Sequence, residues 1–228
     1  MNDIGTLQAS TEQIALTPLA RDNAHVRRNP CPNFWALMPH QIHQHTDSAC
    51  SLASSVMVLN AARGMEGMNR VGELLSEKRL IERFVHTDWP SGIAPDGGGR
   101  KLMRLAEHLD EALGLYGLAS WMVEGFPVAA ADAAAGDMLR RNLAALEAWP
   151  GHFIIANFHL DLFYGDGSDI GHFSPLGAYD SASDRVLVLD CYKADYEPHW
   201  APVARLLAAM AKPCDDGKQR GYLVVRRR

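Results

Sequence analysis

The hydrophobic pattern of this chain changes period near His152, and that change restricts the fold to helices and an antiparallel sheet drawn mainly from different stretches of sequence. Downstream of it, the short apolar runs Phe153 to Ala156, Phe173 to Tyr179, Arg185 to Leu189 and Tyr222 to Val225 are divided by Gly, Asp and Ser clusters, which is the signature of strands. Upstream, Leu52, Val56 and Leu59 recur at helical spacing after Cys50, with Thr46, Asp47 or Ser48 available to cap the start and Gly64 to end the helix. Leu102, Leu105, Leu109 and Leu113 give a second helix, Lys101 to Leu113, one apolar face, and an alanine-rich stretch from Ala129 to Ala148 predicts a third. Asn29-Pro30-Cys31-Pro32 is expected to be extended, because prolines oppose helix. No internal repeat is present.

With 228 residues and 47% apolar content the chain can bury one substantial core. It is read as a single domain over 1–228, with a peripheral arm 1–30, a mainly helical lobe 31–150 and a mainly sheet lobe 151–228. A net charge of -5 supplies no basic field for a nucleic-acid backbone, and Arg226-Arg227-Arg228 reads as a solvated tail. Cys31, Cys50, Cys191 and Cys214 are too sparse for a disulfide scaffold and contain no C-x-x-C pair, so reduced thiols are expected. Met1 to Thr6 carries no basic-then-apolar leader, and no run approaches the roughly 20 apolar residues of a membrane span. The expectation is a soluble cytoplasmic protein without membrane or nucleic-acid partners.

The chemistry concentrates in four residues. Cys50 falls in the first turn of its helix, where partial positive charge and free backbone N–H groups stabilise a thiolate. Taken alone, it reads as a small apolar side chain in a core helix. His172 and Asp190 change that reading. If Phe173–Tyr179 and Arg185–Leu189 pair about a turn centred on Ser181, His172 stands opposite Asp190, with Cβ atoms about 4.5–5.5 Å apart on one face. The carboxylate then fixes the imidazole tautomer, as the third member of a catalytic triad does. A slip of one residue would put the two on opposite faces, and Pro175 suggests an edge or irregular strand. Gln44, a short loop before Cys50, can join the Cys50 backbone N–H as an oxyanion hole.

Other candidates carry less. His40, His43 and His45 lack a second ligand cluster at zinc-like spacing and fit a polar loop. Asp96-Gly97-Gly98-Gly99-Arg100 precedes a helix without the Gly-Lys-Ser/Thr of a nucleotide loop, and reads as a turn at the cleft rim. Ser174 lies outside any G-x-S-x-G elbow. His199 and Trp200 read as packing residues. Cys191 should alternate to the face away from Asp190, and Cys31 and Cys214 have no assigned role.

Two blocks, Ser48 to Ala61 and Gly171 to Tyr179, the latter continuing through Val188-Leu189-Asp190 to Pro198-His199-Trp200, resemble phytochelatin synthases, with Phe34-Trp35 as a weaker lead. The resemblance implies a papain-like α+β fold, a helical lobe packed against a twisted antiparallel sheet. It implies Cys50, His172 and Asp190 as catalytic residues and Gln44 with Cys50 as oxyanion donors. The implied activity is transfer of a γ-glutamylcysteinyl group from glutathione through a thioester on Cys50, to a second peptide or to water. No cofactor or bound metal is required, and homodimers occur in such families. Two departures stand out: Ser51 replaces the usual glycine, and Asn157 to Tyr164 with the insertion-like Gly165 to Asp169 is acidic and aromatic where the family carries a basic residue for a substrate carboxylate. They leave open an acyltransferase that forms amides from a thioester on a carrier protein. A third reading is a noncatalytic thiol and histidine metal-binding protein.

Overall fold

In the computed structural model, which describes residues 16–228, the strand-like runs pair into one antiparallel sheet. Its strands are β1 (Thr17–Pro18), β2 (Trp121–Pro127), β3 (His152–His159), β4 (Gly171–Asp180), β5 (Arg185–Val188), β6 (His199–Pro202) and β7 (Gly221–Arg227). They lie in the order β1-β6-β5-β4-β3-β7-β2. Strand side chains alternate between faces. Phe153, Ile155, Phe173, Leu187, Leu189, Leu223 and Val225 therefore enter one core, and Ile154, Ala156, Leu176, Val186, Val188, Tyr222 and Val224 another. The first core is closed by α1 (Ala24–Arg28), α2 (Pro32–Leu37), α3 (Cys50–Met65), α4 (Glu77–Ile81), α5 (Trp89–Gly92) and α6 (Leu102–Leu115). The second is closed by α7 (Ala133–Ala148), α8 (Leu160–Tyr164) and α9 (Val203–Ala211). The fold is α+β, and its two halves interleave: β2 pairs along its whole length with β7, and α7 lies on the sheet face opposite α3.

Helix α3 is buried from Cys50 through Ala62, so it needs packing partners all round. Leu52, Val56 and Leu59 supply bulk, while Ser51, Ala53, Ser54, Ser55, Ala61 and Ala62 let neighbouring elements approach closely. Its buried hydroxyls are satisfied: Ser54 donates to Phe173 O at 3.1 Å, Ser55 to Ser51 O at 2.7 Å, and Ser51 Oγ accepts from Trp89 Nε1 at 3.2 Å. The expected side-chain caps are used elsewhere. Thr46 Oγ1 donates to Ile93 O and Ser48 Oγ to Gly97 O, so the N-cap is Ala49, and the helix runs one residue past Gly64.

The β4–β5 register differs from a turn centred on Ser181. Asp180 pairs with Arg185 and Tyr179 with Val186, a longer turn whose uninterrupted continuation would put Asp190 opposite Pro175, on the wrong face. A bulge at Gly177 corrects the parity: beyond it Leu176 pairs with Val188, and Leu189 N donates to Pro175 O at 2.9 Å. Asp190 is thereby turned to the face of Ser174 and His172. Pro175 sits in a central strand rather than at an edge. Its carbonyl faces the β5 side, so its hydrogen-free nitrogen does too, where ladder pairing is already broken by the bulge. A Cβ on Gly177 would stand 3.1 Å from Leu189 Cγ and Cδ1. Gly177→Ala is expected to destabilise the chain by about 1–3 kcal/mol, the usual range for overpacking. Because Leu189 precedes Asp190, turnover should fall further than stability alone explains. Urea unfolding and turnover on the same preparation test this; unchanged turnover would disconnect the bulge from the site.

Two further expectations are corrected. Pro32 opens α2 rather than extending the chain, because at the first helical position proline loses no helix hydrogen bond. Arg226 and Arg227 belong to β7, with Arg226 facing Glu124 and Arg227 facing Glu66 and the Trp121 ring, so the run is only partly a tail. Residues 1–15 of the expected arm lie outside the described residues. The rest of it is tied down through β1 pairing with β6 and the burial of Val26. Among the described residues no helix is long and apolar enough to cross a membrane.

Candidate active site

Cys50 is the first residue of α3, so its backbone N–H has no acceptor within the helix. Its side chain is buried and lies near enough to His172, which β4 carries in from the sheet, to help raise the imidazole. His172 Nε2 lies 2.9 Å from Asp190 Oδ1 and 3.0 Å from Ser174 Oγ. That leaves Nδ1 to exchange a proton with the thiol. The structure brings Cys50, His172 and Asp190 together, although their convergence depends on the Gly177 bulge rather than on a regular hairpin.

Asp190 is fully buried and accepts from Tyr164 Oη at 2.5 Å and Tyr192 N at 2.7 Å besides facing His172. Burial alone would push its carboxyl up, but the His172 charge and these hydrogen bonds override it and hold it at about 2. Burial alone would push His172 down; the Asp190 charge and hydrogen bond, with the two neighbouring thiols, raise it well above its ordinary value. The carboxylate therefore stays ionised, and it makes the imidazole a stronger base for the Cys50 proton. Tyr164 also reaches His199 Nε2 at 3.4 Å and stacks on Tyr196 at 3.7 Å between centroids. His199, which the sequence marks as packing, thus backs Tyr164 behind the carboxylate.

Gln44 is buried beside the site, but its amide nitrogen donates to Thr46 O at 2.9 Å and Asp47 O at 3.1 Å. Both hydrogens are engaged, so oxyanion donation requires one to be given up. Its Oε1 accepts from Cys191 Sγ at 3.4 Å, and Gln44 N donates to Cys191 O at 2.9 Å. Cys191 is buried as expected, yet it does not turn away from the site. Strand β5 ends at Val188, so alternation no longer governs residue 191, and its thiol reaches Phe173 O at 3.3 Å and Cys50 O at 3.7 Å. Burial, outweighing its His172 hydrogen bond, pushes this thiol up to about 11. His172, Asp190 and Cys191 also form a donor set within 4.8 Å that is able to hold a soft cation. The other histidines are dispersed: His43 Nδ1 accepts from Lys193 N at 3.1 Å and His45 faces Glu77.

A cleft of ≈ 260 Å³ opens at Cys50 between the Gly97-Gly98-Gly99 loop, Lys101 and Arg220. Gly97 approaches the Gly92 backbone so closely that a Cβ would lie 2.2 Å from Gly92 O, which fixes this rim. Arg220 is buried, donates through Nη1 to Lys212 O and Pro213 O at 2.6 Å each, and has no hydrogen-bond partner for Nε among the described residues. No carboxylate of the described residues forms an ion pair with it.

A sequence profile described as Phytochelatin synthase matches residues 114–222, which include His172 and Asp190. Over that span the chain is similar to the phytochelatin synthase family. Glutathione gamma-glutamylcysteinyltransferase 2 of Arabidopsis thaliana is 26% identical over 208 residues, covering 90% of this chain and 42% of that protein. An alignment of that extent necessarily spans Gln44 to Asp190. Glutathione gamma-glutamylcysteinyltransferase 1 of the same plant is 37% identical over 75 residues, covering 32% of this chain and 15% of its own. Glutathione gamma-glutamylcysteinyltransferase 3 of Lotus japonicus is 46% identical over 57 residues, 24% of this chain and 12% of its own. The chain spans less than half the length of each of these relatives.

Against the phytochelatin synthase pattern the chain lacks the expected basic residue just before Gly171, but Arg220 reaches the same place from β7's approach. Its Nε lies 3.2 Å from where a Cβ on Gly171 would stand. No sequence spacing signals that meeting, because 49 positions separate the two residues and β3 intervenes between β4 and β7. Tyr164 as a partner of Asp190 is likewise without a sequence signal, and Ser174 as a partner of His172 is missed by the sequence reading. For Ser174 a signal existed: it shares the His172 face by strand alternation.

Proposed function

We propose that this chain is a cysteine-dependent acyltransferase or hydrolase that cleaves the cysteinyl–glycine amide of glutathione through a γ-glutamylcysteinyl thioester on Cys50. The observation that carries this reading is the buried His172, bonded through Nε2 to Asp190 at 2.9 Å beside the buried Cys50 at the tip of α3. A nucleophile-bearing helix tip facing a sheet that carries base and carboxylate supports a papain-like architecture. His172 takes the Cys50 proton, the thiolate attacks the amide carbonyl and a C–S bond forms. Collapse breaks the C–N bond, and glycine leaves with the proton from His172. The Cys50 backbone N–H, joined by Gln44 once it releases one carbonyl, holds the oxyanion. Water or the amine of a second peptide then attacks the thioester and frees Cys50.

Charge in the cleft supports a zwitterionic peptide substrate. Arg220 and Lys101 suit carboxylates, and Asp47, Asp169 and Asp215, which line the same cleft, suit an ammonium group. The relatives' names carry the same donor. Four free cysteines fit a reducing, cytoplasmic setting. Incubation with glutathione, acid quench and intact-mass measurement should reveal a γ-glutamylcysteinyl adduct on Cys50 and at least an equal amount of free glycine. Neither adduct nor glycine, together with acylation of Cys50 from a carrier-bound thioester, would transfer the assignment to an amide-forming acyltransferase.

A further inference from the structure

Outside the catalytic cleft, His25, Cys31 and Glu147 converge from distant parts of the chain. His25 Nε2 lies 3.0 Å from Glu147 Oε1, and Cys31 Sγ donates to the same oxygen at 3.3 Å. One donor atom from each falls within 4.8 Å of the others. The geometry points to a divalent-metal site of the zinc type, with His25 Nε2, Cys31 Sγ and Glu147 Oε1 as ligands and Asp180 steadying the imidazole.

Bond lengths near 2.0–2.3 Å in a tetrahedral zinc site require ligand atoms roughly 3.3–3.8 Å apart, so the pairs at 3.0 and 3.3 Å need open only slightly and the third, within 4.8 Å, is in reach of the same geometry. In the metal-free arrangement two protons, on Cys31 Sγ and His25 Nε2, point at one carboxylate oxygen. The cation binds the thiolate, so its arrival must displace the Cys31 proton. On binding, the thiol proton is released and the imidazole proton moves to Nδ1. Asp180 Oδ1, 3.7 Å from Nδ1, is placed to accept it, while the Asn29 amide that now donates to Nδ1 must turn away. Thiolate, carboxylate and neutral imidazole balance the two charges of the ion.

Two supports hold the ligands in place. Glu147 Oε2 accepts from Tyr179 N at 2.9 Å, and the His25 ring packs edge-on against Trp200. Cys31 itself has φ 38, a left-handed conformation that a side-chain-bearing residue adopts under constraint. The His25 and Glu147 side chains are 17% and 22% exposed, which gives an ion access and leaves a fourth position for water. The site would staple the α1–α2 junction to the end of α7 and the β4–β5 turn, and none of its residues takes part in the proposed acyl transfer.

The test is cobalt(II) titration of the full chain carrying Cys50→Ser and Cys191→Ser, which removes both thiols of the catalytic cleft. One equivalent should give a thiolate-to-cobalt charge-transfer band. Adding Cys31→Ser should abolish it, and Asp180→Asn should weaken binding about 10- to 100-fold, as loss of a partner behind a metal-bound histidine does. No band in the folded chain, or a band that survives Cys31→Ser, overturns the site. Should the double background fail to fold, the otherwise native chain is compared with Cys31→Ser alone. A lower cobalt stoichiometry in the variant supports the site, and equal bands overturn it.

Discussion

Cys50→Ala is expected to lower turnover of glutathione by ~10⁴-fold or more, His172→Ala by about as much, and the double variant no further. The shared ceiling follows from the geometry. The thiol is a competent nucleophile only after His172 takes its proton, and His172 has no acyl group to work on without the thiol. Removing either therefore removes the same step, and what survives is binding and oxyanion stabilisation. Because His172→Ala leaves Asp190 buried without its partner, His172→Gln is the companion variant, and circular dichroism verifies that each is folded. Losses that multiply in the double variant, or a tenth of native turnover in either single one, would take Cys50 and His172 out of a common step.

Why so much of this site is legible in sequence, and why some of it is not, comes down to the range of each interaction. Local rules identify α3 and the position of Cys50 at its tip, because helical spacing and the first-turn position are properties of neighbouring residues. The runs that become β3, β4, β5 and β7 are legible for the same reason, whereas β1, β2 and β6 are short or partly exposed and become strands only through their neighbours in the sheet. The meeting of His172 with Asp190 follows from a hairpin, but a symmetric turn about Ser181 is the wrong route to it. The longer turn flips the pleat once and the Gly177 bulge flips it back. Two departures from regularity thus cancel, and the pairing survives. Arg220 and Cys191 depend on tertiary placement alone: one comes from β7's approach across the sheet, the other from a chain that has left its strand. Neither position is set by periodicity.

Asp190→Ala is expected to destabilise the chain by about 3–5 kcal/mol, the range for breaking a buried ion pair by removing one member. Three groups lose their acceptor at once: His172 Nε2, Tyr164 Oη and Tyr192 N. Asp190 is itself fully buried, so losing these partners carries a desolvation cost. The same pair fixes the pH window of stability. Asp190 has a folded value depressed to about 2, so its contribution is complete above the unfolded carboxyl value of about 3.9 and is lost as pH falls through the folded one. His172 is raised in the folded state, so its contribution is complete below the unfolded imidazole value of about 6.5 and is lost as pH rises through the folded one. The pair therefore stabilises the chain most between about pH 4 and about pH 6.5, with one limb on each side. Asp190→Asn retains the shape and removes the charge; burial then acts on His172 unopposed by that charge, and the alkaline limb should flatten. Urea unfolding midpoints from about pH 3 to about pH 10 measure both limbs. An alkaline limb equally steep in Asp190→Asn would mean that the His172 proton is held by something other than Asp190, and would transfer the orienting role to Ser174 or to the neighbouring thiols.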